Sequence, residues 1–478
     1  MKQRISVILI AIVSVTVLYL IGHTILVPYK QDSVVLPHVD NAETIYTNAA
    51  SKIDLSEDTT LTFRLTEEMN VDGAIFQEVA YRTVNYDIQA SGVPYIQVHE
   101  SRYSGTHTIE ISETFANDIV YLTVNDTPFS SACDTEQYVK SQIPAIILSP
   151  NLYNNIEAVD TGSAYMITFS KPIVAEEWLK DSSITLLDAK GIARVSYDGE
   201  LETSTYNASY QLDGITFRIT TDVSIAHDSI NVTLPDDLSS YTPIRDWQAP
   251  KLLERACGYL IQAKQISALY DDSIYFEAIG DRREKHVTLH ADFDDDWSVL
   301  VSTGITTKSE TKLNQSQTLR KKEVFLDGQY RISNNDEALI ANNSITVDTV
   351  YNYFQDQLVS TVMLPQHIRS VEITEENSIF HLSFNGTDAF GSFLAENACK
   401  LLYNNPDLMT ETGSIFATVE LKCYLDIDKK TGLPLASGIN YTGSYTAEGL
   451  PYSLSYCAEQ TYLIPSLNAV TEIEKAAD

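Results

Sequence analysis

Along most of the chain, apolar and polar residues alternate in short runs: Leu61-Phe63-Leu65, Tyr95 to Val98, Ile109-Ile111, Ile119 to Val124, Tyr165 to Phe169, Ile215 to Ile219 and Ile230-Val232-Leu234. A period of two sends successive side chains to opposite faces of a strand, so these runs predict antiparallel sheet with one face on a core and one in water. Clusters of Asp, Asn, Gly and Ser between them read as turns. Helical spacing occurs in two comparable places. One segment runs from a cap at Asp40 or Asn41, with Glu43 placed for a capping box, through Ile45, Ala49 and Ile53. The other begins near Pro250 and carries Leu253, Cys257 and Ile261.

A different pattern opens the chain. Lys2 and Arg4 precede an uncharged apolar stretch from Ile5 to Ile21, which continues through Ile25, Leu26 and Val27. A helix over 5–27 rises about 34 Å, enough to span a hydrocarbon core of roughly 30 Å. A signal peptide has the same basic start, but Val27-Pro28-Tyr29-Lys30 is no small-x-small cleavage site. The expectation is a single-pass, uncleaved membrane anchor with the N-terminus cytoplasmic and everything after Lys30 outside the cell.

The remainder compares with itself. Slid along itself at one constant offset, the chain lays Tyr138-x-x-x-Gln142-Ile143 on Tyr353-x-x-x-Gln357-Leu358, Pro150 on Pro365, and Ile156-Glu157 on Val371-Glu372. The same register puts Tyr165 on Phe380, Ile167 on Leu382 and Phe169 on Phe384. Further on, Gly191-Ile192 is laid on Gly432-Leu433, and Gly214-Ile215-x-Phe217 on Gly449-Leu450-x-Tyr452. Together with the helix that opens each half, these matches predict a duplicated domain. The joint falls near Tyr241 to Pro250.

Several of these features resemble one family. An opening amphipathic helix, a run of antiparallel strands, strand ends such as Val124-Asn125-Asp126 or Leu326-Asp327-Gly328, and a late hairpin over Leu425-Asp426-Ile427-Asp428-Lys429-Lys430-Thr431-Gly432-Leu433-Pro434-Leu435 look like the LolA/LppX-type lipoprotein fold. In the first copy Asp188-Ala189-Lys190-Gly191 stands in for that hairpin. The resemblance implies, in each copy, a sheet curled into a half-barrel under a few helices, enclosing room for a lipid or acyl chain. The expected fold class is therefore α+β and β-rich, with an N-terminal transmembrane helix followed by two tandem curved antiparallel half-barrels. The expected division is 1–30 cytoplasmic tip and anchor, 31–245 first LolA-like domain, 246–465 second LolA-like domain and 466–478 C-terminal tail.

Composition narrows the function. Asp and Glu outnumber Lys and Arg 65 to 32, and a net charge of −33 repels nucleic acid and anionic headgroups. Cys133, Cys257, Cys399, Cys423 and Cys457 are scattered without metal spacing, and buried thiols or one or two disulfides both fit them. His286 and His290 share a strand face just before Asp292, Asp294, Asp295 and Asp296 and form the nearest approach to a metal site. Against a calcium loop, Trp297 sits at the glycine position and Thr303 at that of the bidentate glutamate. The carboxylate pairs Glu67-Glu68 and Glu176-Glu177 are ordinary in so acidic a chain, and no G-x-S-x-G, phosphate-loop or H-E-x-x-H motif occurs. The expectation is a protein without enzymatic activity, cofactor or metal. It binds either a hydrophobic ligand inside each half-barrel or, as the alternative, a protein or cell-wall partner on a structural or sensory ectodomain.

Overall fold

The computed structural model describes residues 38–51, 58–89, 92–142, 153–172, 184–227, 230–277, 280–293, 298–309, 315–335, 337–341, 349, 365–403, 417–447 and 450–477. It is dominated by two large sheets. After β1 (His38–Val39) and helix α1 (Ala42–Ser51) come β2 (Thr59–Val71), β3 (Ala74–Ile88), β4 (Pro94–Ser104), β5 (His107–Ala116), β6 (Ile119–Val124) and β7 (Thr127–Ala132). Helix α2 (Thr135–Gln142) leads to β8 (Tyr153–Asp160), β9 (Ala164–Pro172), β10 (Ile184–Ser196), β11 (Leu201–Leu212), β12 (Ile215–Ala226) and the two-residue β13 (Thr242–Pro243).

Helix α3 (Ala249–Gln262) opens the second half. It is followed by β14 (Gln265–Phe276), β15 (Asp281–Asp292), β16 (Ser298–Ser309), β17 (Gln315–Leu326), β18 (Gln329–Asn334) and β19 (Ile340–Ala341). Then come β20 (Ile368–Glu376), β21 (Ile379–Gly386), helix α4 (Asp388–Tyr403), β22 (Ala417–Asp428), β23 (Pro434–Ala447), β24 (Leu450–Leu463) and helix α5 (Ala469–Ala477).

The two sheets share one winding. In the first, β2 to β7 run outward in sequence from the centre, and β12 to β8 run outward on the other side, so β12 pairs with β2. In the second, β14 to β19 and β24 to β20 do the same, with β24 against β14. Registers coincide too. Ile156 faces Phe169 and Ala158 faces Ile167, while at the matching positions of the second half Val371 faces Phe384 and Ile373 faces Leu382.

The fold expectation is corrected in four respects. Residues 5–27 lie outside the described residues, and among those described no helix is long and apolar enough to cross a membrane. The longest, α4, has 16 residues and a length of about 24 Å, short of a bilayer core of roughly 30 Å. The segment expected as a tail carries α5, which lays Ile473 on Leu300 and Val324 and has its last turn capped where Lys322 Nζ donates to Ala476 O at 2.6 Å. Residues 230–234 are not a strand. Val232 N donates to Asp87 Oδ2 at 2.8 Å, so a carboxylate takes the place of a ladder partner. Finally, Gly191 lies within β10 opposite Phe169 and Tyr206, whereas Gly432 lies in the turn after β22. Strand order makes Tyr197 to Glu200 the counterpart of that turn, so Asp188 to Gly191 is a piece of strand.

Of the other residues matched across the halves, Ile143, Pro150, Tyr353, Gln357, Leu358 and Gly449 lie outside the described residues. Cys133, Cys257, Cys423 and Cys457 are free thiols, the first three of them buried.

Helix α3 starts where Pro250 is compatible with a first turn, and it packs on β4 and β5 of the first sheet as well as β20 and β23 of the second. Its buried Leu253, Ala256, Cys257 and Leu260 belong to an apolar cluster that runs without a break through both sheets. Each fully buried leucine contributes about 1.5–3 kcal/mol. The other face of α3 is charged, and that face meets the first sheet.

Candidate functional site

His286 and His290 are both on β15 and share a face, as expected, but four residues of strand separate them by about 13 Å, too far to share one ion. His286 Nδ1 pairs with Asp271, and His290 Nδ1 lies 2.7 Å from Ser267 Oγ. Asp292 accepts from Gln265 Nε2 at 3.2 Å, Thr303 lies within β16, and Asp294 to Trp297 lie outside the described residues. No group of three His, Cys, Asp or Glu among the described residues is placed to hold a metal.

Glu67 and Glu68 do not act as a pair, because neighbours on a strand point to opposite faces. Glu68 meets Arg218 at 2.6 Å, while Glu67 faces α3 and meets Arg255. Glu176 and Glu177 lie outside the described residues.

Glu67 belongs to a buried ionic assembly that sequence reasoning passed over. On β3, β4 and β5 the inward positions include Glu78, Arg82, Glu100, Arg102 and Glu113, and Glu78 and Glu113 are only 2% and 1% exposed. Helix α3 brings the partners: Lys251 Nζ lies 2.8 Å from Glu113 Oε1, Arg255 lies 2.6 Å from Glu78, and Glu254 lies 2.8 Å from His107 Nε2. Tyr138 OH of α2 donates to Glu113 Oε2 at 2.7 Å, and Arg102 joins Glu78 to Glu100 at 3.1 and 2.9 Å. The Lys251 ammonium also sits 3.7 Å from the centre of the Trp247 ring. Burial pushes the Lys251 amine down, with the Glu113 carboxylate opposing. A charged, filled interior thus occupies the first sheet where the half-barrel expectation places an acyl chain.

Open space lies instead on the outer face of the second sheet. A groove of about 770 Å³ is bounded on one side by Pro243, Ile244 and Arg245, where the chain leaves the first sheet. Its floor is β20 to β24. By strand alternation Val371, Phe384, Cys423, Ile439 and Ala458 turn to the core, leaving His381, Ser383, Lys422, Tyr424, Asn440 and Glu459 on the groove side. Arg245 reaches Glu372 at 2.8 Å across the rim. Asp426 holds Nδ1 of His381, whose ring is stacked with Tyr424 at 5.6 Å between centroids. Tyr424 lies over Gly438, where any side chain would collide with its ring. Burial raises the Tyr424 hydroxyl, with Glu459 and Asp426 adding to the effect.

A smaller cavity of about 230 Å³ lies between the sheets, lined by Met69, Phe76 and Phe217 but also by Glu67, Arg218, Arg255 and Lys429. The late hairpin forms one wall. Asp428 Oδ1 accepts from the backbone of Lys430 at 3.0 Å and of Thr431 at 2.8 Å, and Gly432 takes φ +74° close against Tyr259. Lys430 meets Asp213 in the turn between β11 and β12, so the hairpin touches the first half as well as the second.

One titration follows from the second sheet. Burial pushes the Asp272 carboxyl up to about 6, Lys285 opposing and Asp271 reinforcing the shift. Because this lies above the ordinary value, the stability Asp272 contributes is complete below about pH 4 and is lost as the pH rises through about 6. Asp272→Asn is expected to raise unfolding free energy at pH 7.5 by on the order of 1–3 kcal/mol and to change it little at pH 4. Urea unfolding at both pH values checks this, and equal gains at the two would refute it.

No protein-family model matches the chain, and no curated protein matches it. The LolA/LppX resemblance therefore rests on the residues quoted above. Among solved structures, the chain is similar to LprF from Mycobacterium bovis at 11% identity and TM-score 0.26, over 42% of this chain and 98% of that one. It is also similar to a putative outer membrane protein from Bacteroides fragilis at 9% identity and TM-score 0.17, over 84% of this chain and 96% of that one. A third, a putative AttH from Nitrosomonas europaea, has 6% identity and TM-score 0.13, over 85% and 92% of the two chains. The chain itself is a β-rich protein of two like-wound sheets, antiparallel but for the two-residue β13 beside β7.

Proposed function

We propose that this chain is a non-enzymatic binding protein that holds a polar partner in the groove over β20 to β24, and that its two halves descend from one duplicated domain. The groove carries the functional part of this reading. Its volume of about 770 Å³ falls in the range of ligand sites, and polar side chains converge on it from four adjacent strands, β21 to β24. The shared winding and register support the duplication.

An enclosed lipid has less support. The inner face of the first sheet is occupied by α3 and its ion pairs, and an acyl chain laid there would strip those charges of partners at a cost of several kcal/mol. The cavity between the sheets, at about 230 Å³, is smaller than usual ligand pockets and has charged walls.

Asn440 is exposed on the groove floor, opposite Lys422 on β22 and Cys457 on β24. Asn440→Trp fills the space above it. Native mass spectrometry of the protein purified from its own cells, before and after denaturation, is expected to show a retained mass on the parent chain and none on the variant. The same retained mass on both proteins would place the ligand elsewhere and defeat the proposal.

A further inference from the structure

The groove floor has a chemical character that narrows its ligand, given that the groove is the binding site proposed above. Its basic side chains are met in place, Arg245 by Glu372 and Lys422 by Glu420 at 2.6 Å, and His381 Nδ1 is held by Asp426. In a chain of net charge −33, a polyanion is repelled at long range, and beyond these contacts the floor offers a polycation only the carboxylates of Glu459 and Asp426. The ligand that suits this floor is uncharged.

Two flat rings form its centre. Tyr424 extends from β22 across Gly438 of β23, the absence of a side chain at 438 letting the ring lie down on the sheet. His381, from β21, is stacked with Tyr424 at 26° between the ring planes and is fixed by the Asp426 carboxylate, so the two rings form one aromatic pair. Around this platform stand short hydrogen-bonding groups, Ser383, Asn385 and Asn440, with Asn385 braced by a 2.9 Å bond to Ser370 Oγ. A flat aromatic surface ringed by amides and hydroxyls matches a molecule with an apolar face and a rim of hydroxyls. A pyranose ring has that form, whereas an acyl chain has no rim to satisfy the amides.

We infer that the groove binds a neutral oligosaccharide segment, with a sugar ring packed against the Tyr424–His381 pair and its hydroxyls bonded to Asn440 and Ser383. The test uses the full chain against an immobilised array of neutral oligosaccharides that includes chitotetraose, cellotetraose and maltotetraose, with dodecanoate and polyglutamate as comparators. At least one oligosaccharide is expected to bind, with affinity falling tenfold or more in Tyr424→Ala and in Gly438→Val, which displaces the ring, and being kept in Tyr424→Trp. Circular dichroism of each variant separates loss of binding from loss of fold. A silent array, or binding indifferent to Tyr424→Ala in a folded variant, overturns the inference. The two proposals fail separately. A retained mass that Asn440→Trp abolishes, but that proves to be lipid or peptide, keeps the groove and removes the glycan. Oligosaccharide binding that survives both Asn440→Trp and Tyr424→Ala removes the groove itself.

Discussion

Arg255→Met is expected to lower the free energy of unfolding by about 3–5 kcal/mol, the cost typical of removing one partner from a buried ion pair. Arg255 joins α3 to Glu67 and Glu78 and lies over the Tyr259 ring at 5.6 Å. Without it, Glu78, 2% exposed, is left with Arg102 at 3.1 Å and the Tyr259 hydroxyl at 3.2 Å, while Arg102 is shared with Glu100. Methionine replaces the volume and the apolar stem but not the charge. Urea unfolding followed by tryptophan fluorescence measures the loss. The combined change Glu113→Leu, Lys251→Met and Tyr138→Phe supplies the contrast. It removes a charged pair together with the hydroxyl that donates to it, so no buried group is orphaned, and it is expected to cost less than Arg255→Met alone. If the stability of Arg255→Met matches that of the parent, the assembly is solvated in solution and does not bind the sheets together.

This assembly marks the limit of what could be read from the sequence. Alternation located β2, β4, β5, β6, β9 and β12, because a two-residue period is a local property of a half-buried strand. The constant offset that lays Ile156 on Val371 also located the matching registers of β8–β9 and β20–β21, where identical spacing between an Ile or Val and a Phe is imposed by one hairpin geometry. The match of Gly191 to Gly432, made at a different offset, failed, since a single glycine matches many others and only the strand partners show which turn corresponds to which. The charged positions gave no such handle. Glu67, Glu78, Glu100 and Glu113 fall in the apolar register of their strands, but a carboxylate there reads as the end of an apolar run, and what buries them is a helix that follows the whole first sheet in the chain. Lys251, Glu254 and Arg255 on one side of the α3 periodicity did carry a trace of it. A helix with both an apolar stripe and a compact charged stripe has two surfaces to cover, and the first half offered acids in strand register.

The groove was hidden for a related reason. His381, Tyr424, Asn440 and Glu459 lie on four separate strands, and only the order β21-β22-β23-β24 makes them neighbours. The histidines that stood out in sequence, His286 and His290, were adjacent on one strand and for that reason too far apart for a shared ligand.

The same helix sets the second large expectation. A fragment of residues 38–264, which keeps α3, is expected to unfold cooperatively, whereas 38–245, cut at the boundary that the sequence suggests, is expected to melt roughly 10 °C lower or more, or without a cooperative transition. The shorter fragment forfeits Lys251 from Glu113, Arg255 from Glu78 and Glu254 from His107, along with the 2.9 Å bond that Gln77 N donates to Gln262 Oε1. It also uncovers apolar surface beneath Leu253 and Leu260. Losses of about 4–6 kcal/mol are expected from one broken buried pair plus partial exposure of two leucines, and for a domain of about 200 residues each kcal/mol moves the melting temperature by about 2–4 °C. Calorimetry of the two fragments decides the matter. Equal melting temperatures would mean that α3 serves only the second sheet and that the charges on β3, β4 and β5 are satisfied by one another or by water. A recovery confined to the longer fragment would make α3 a component of both halves, and the two like-wound sheets would then fold as one body through the helix that opens the second half.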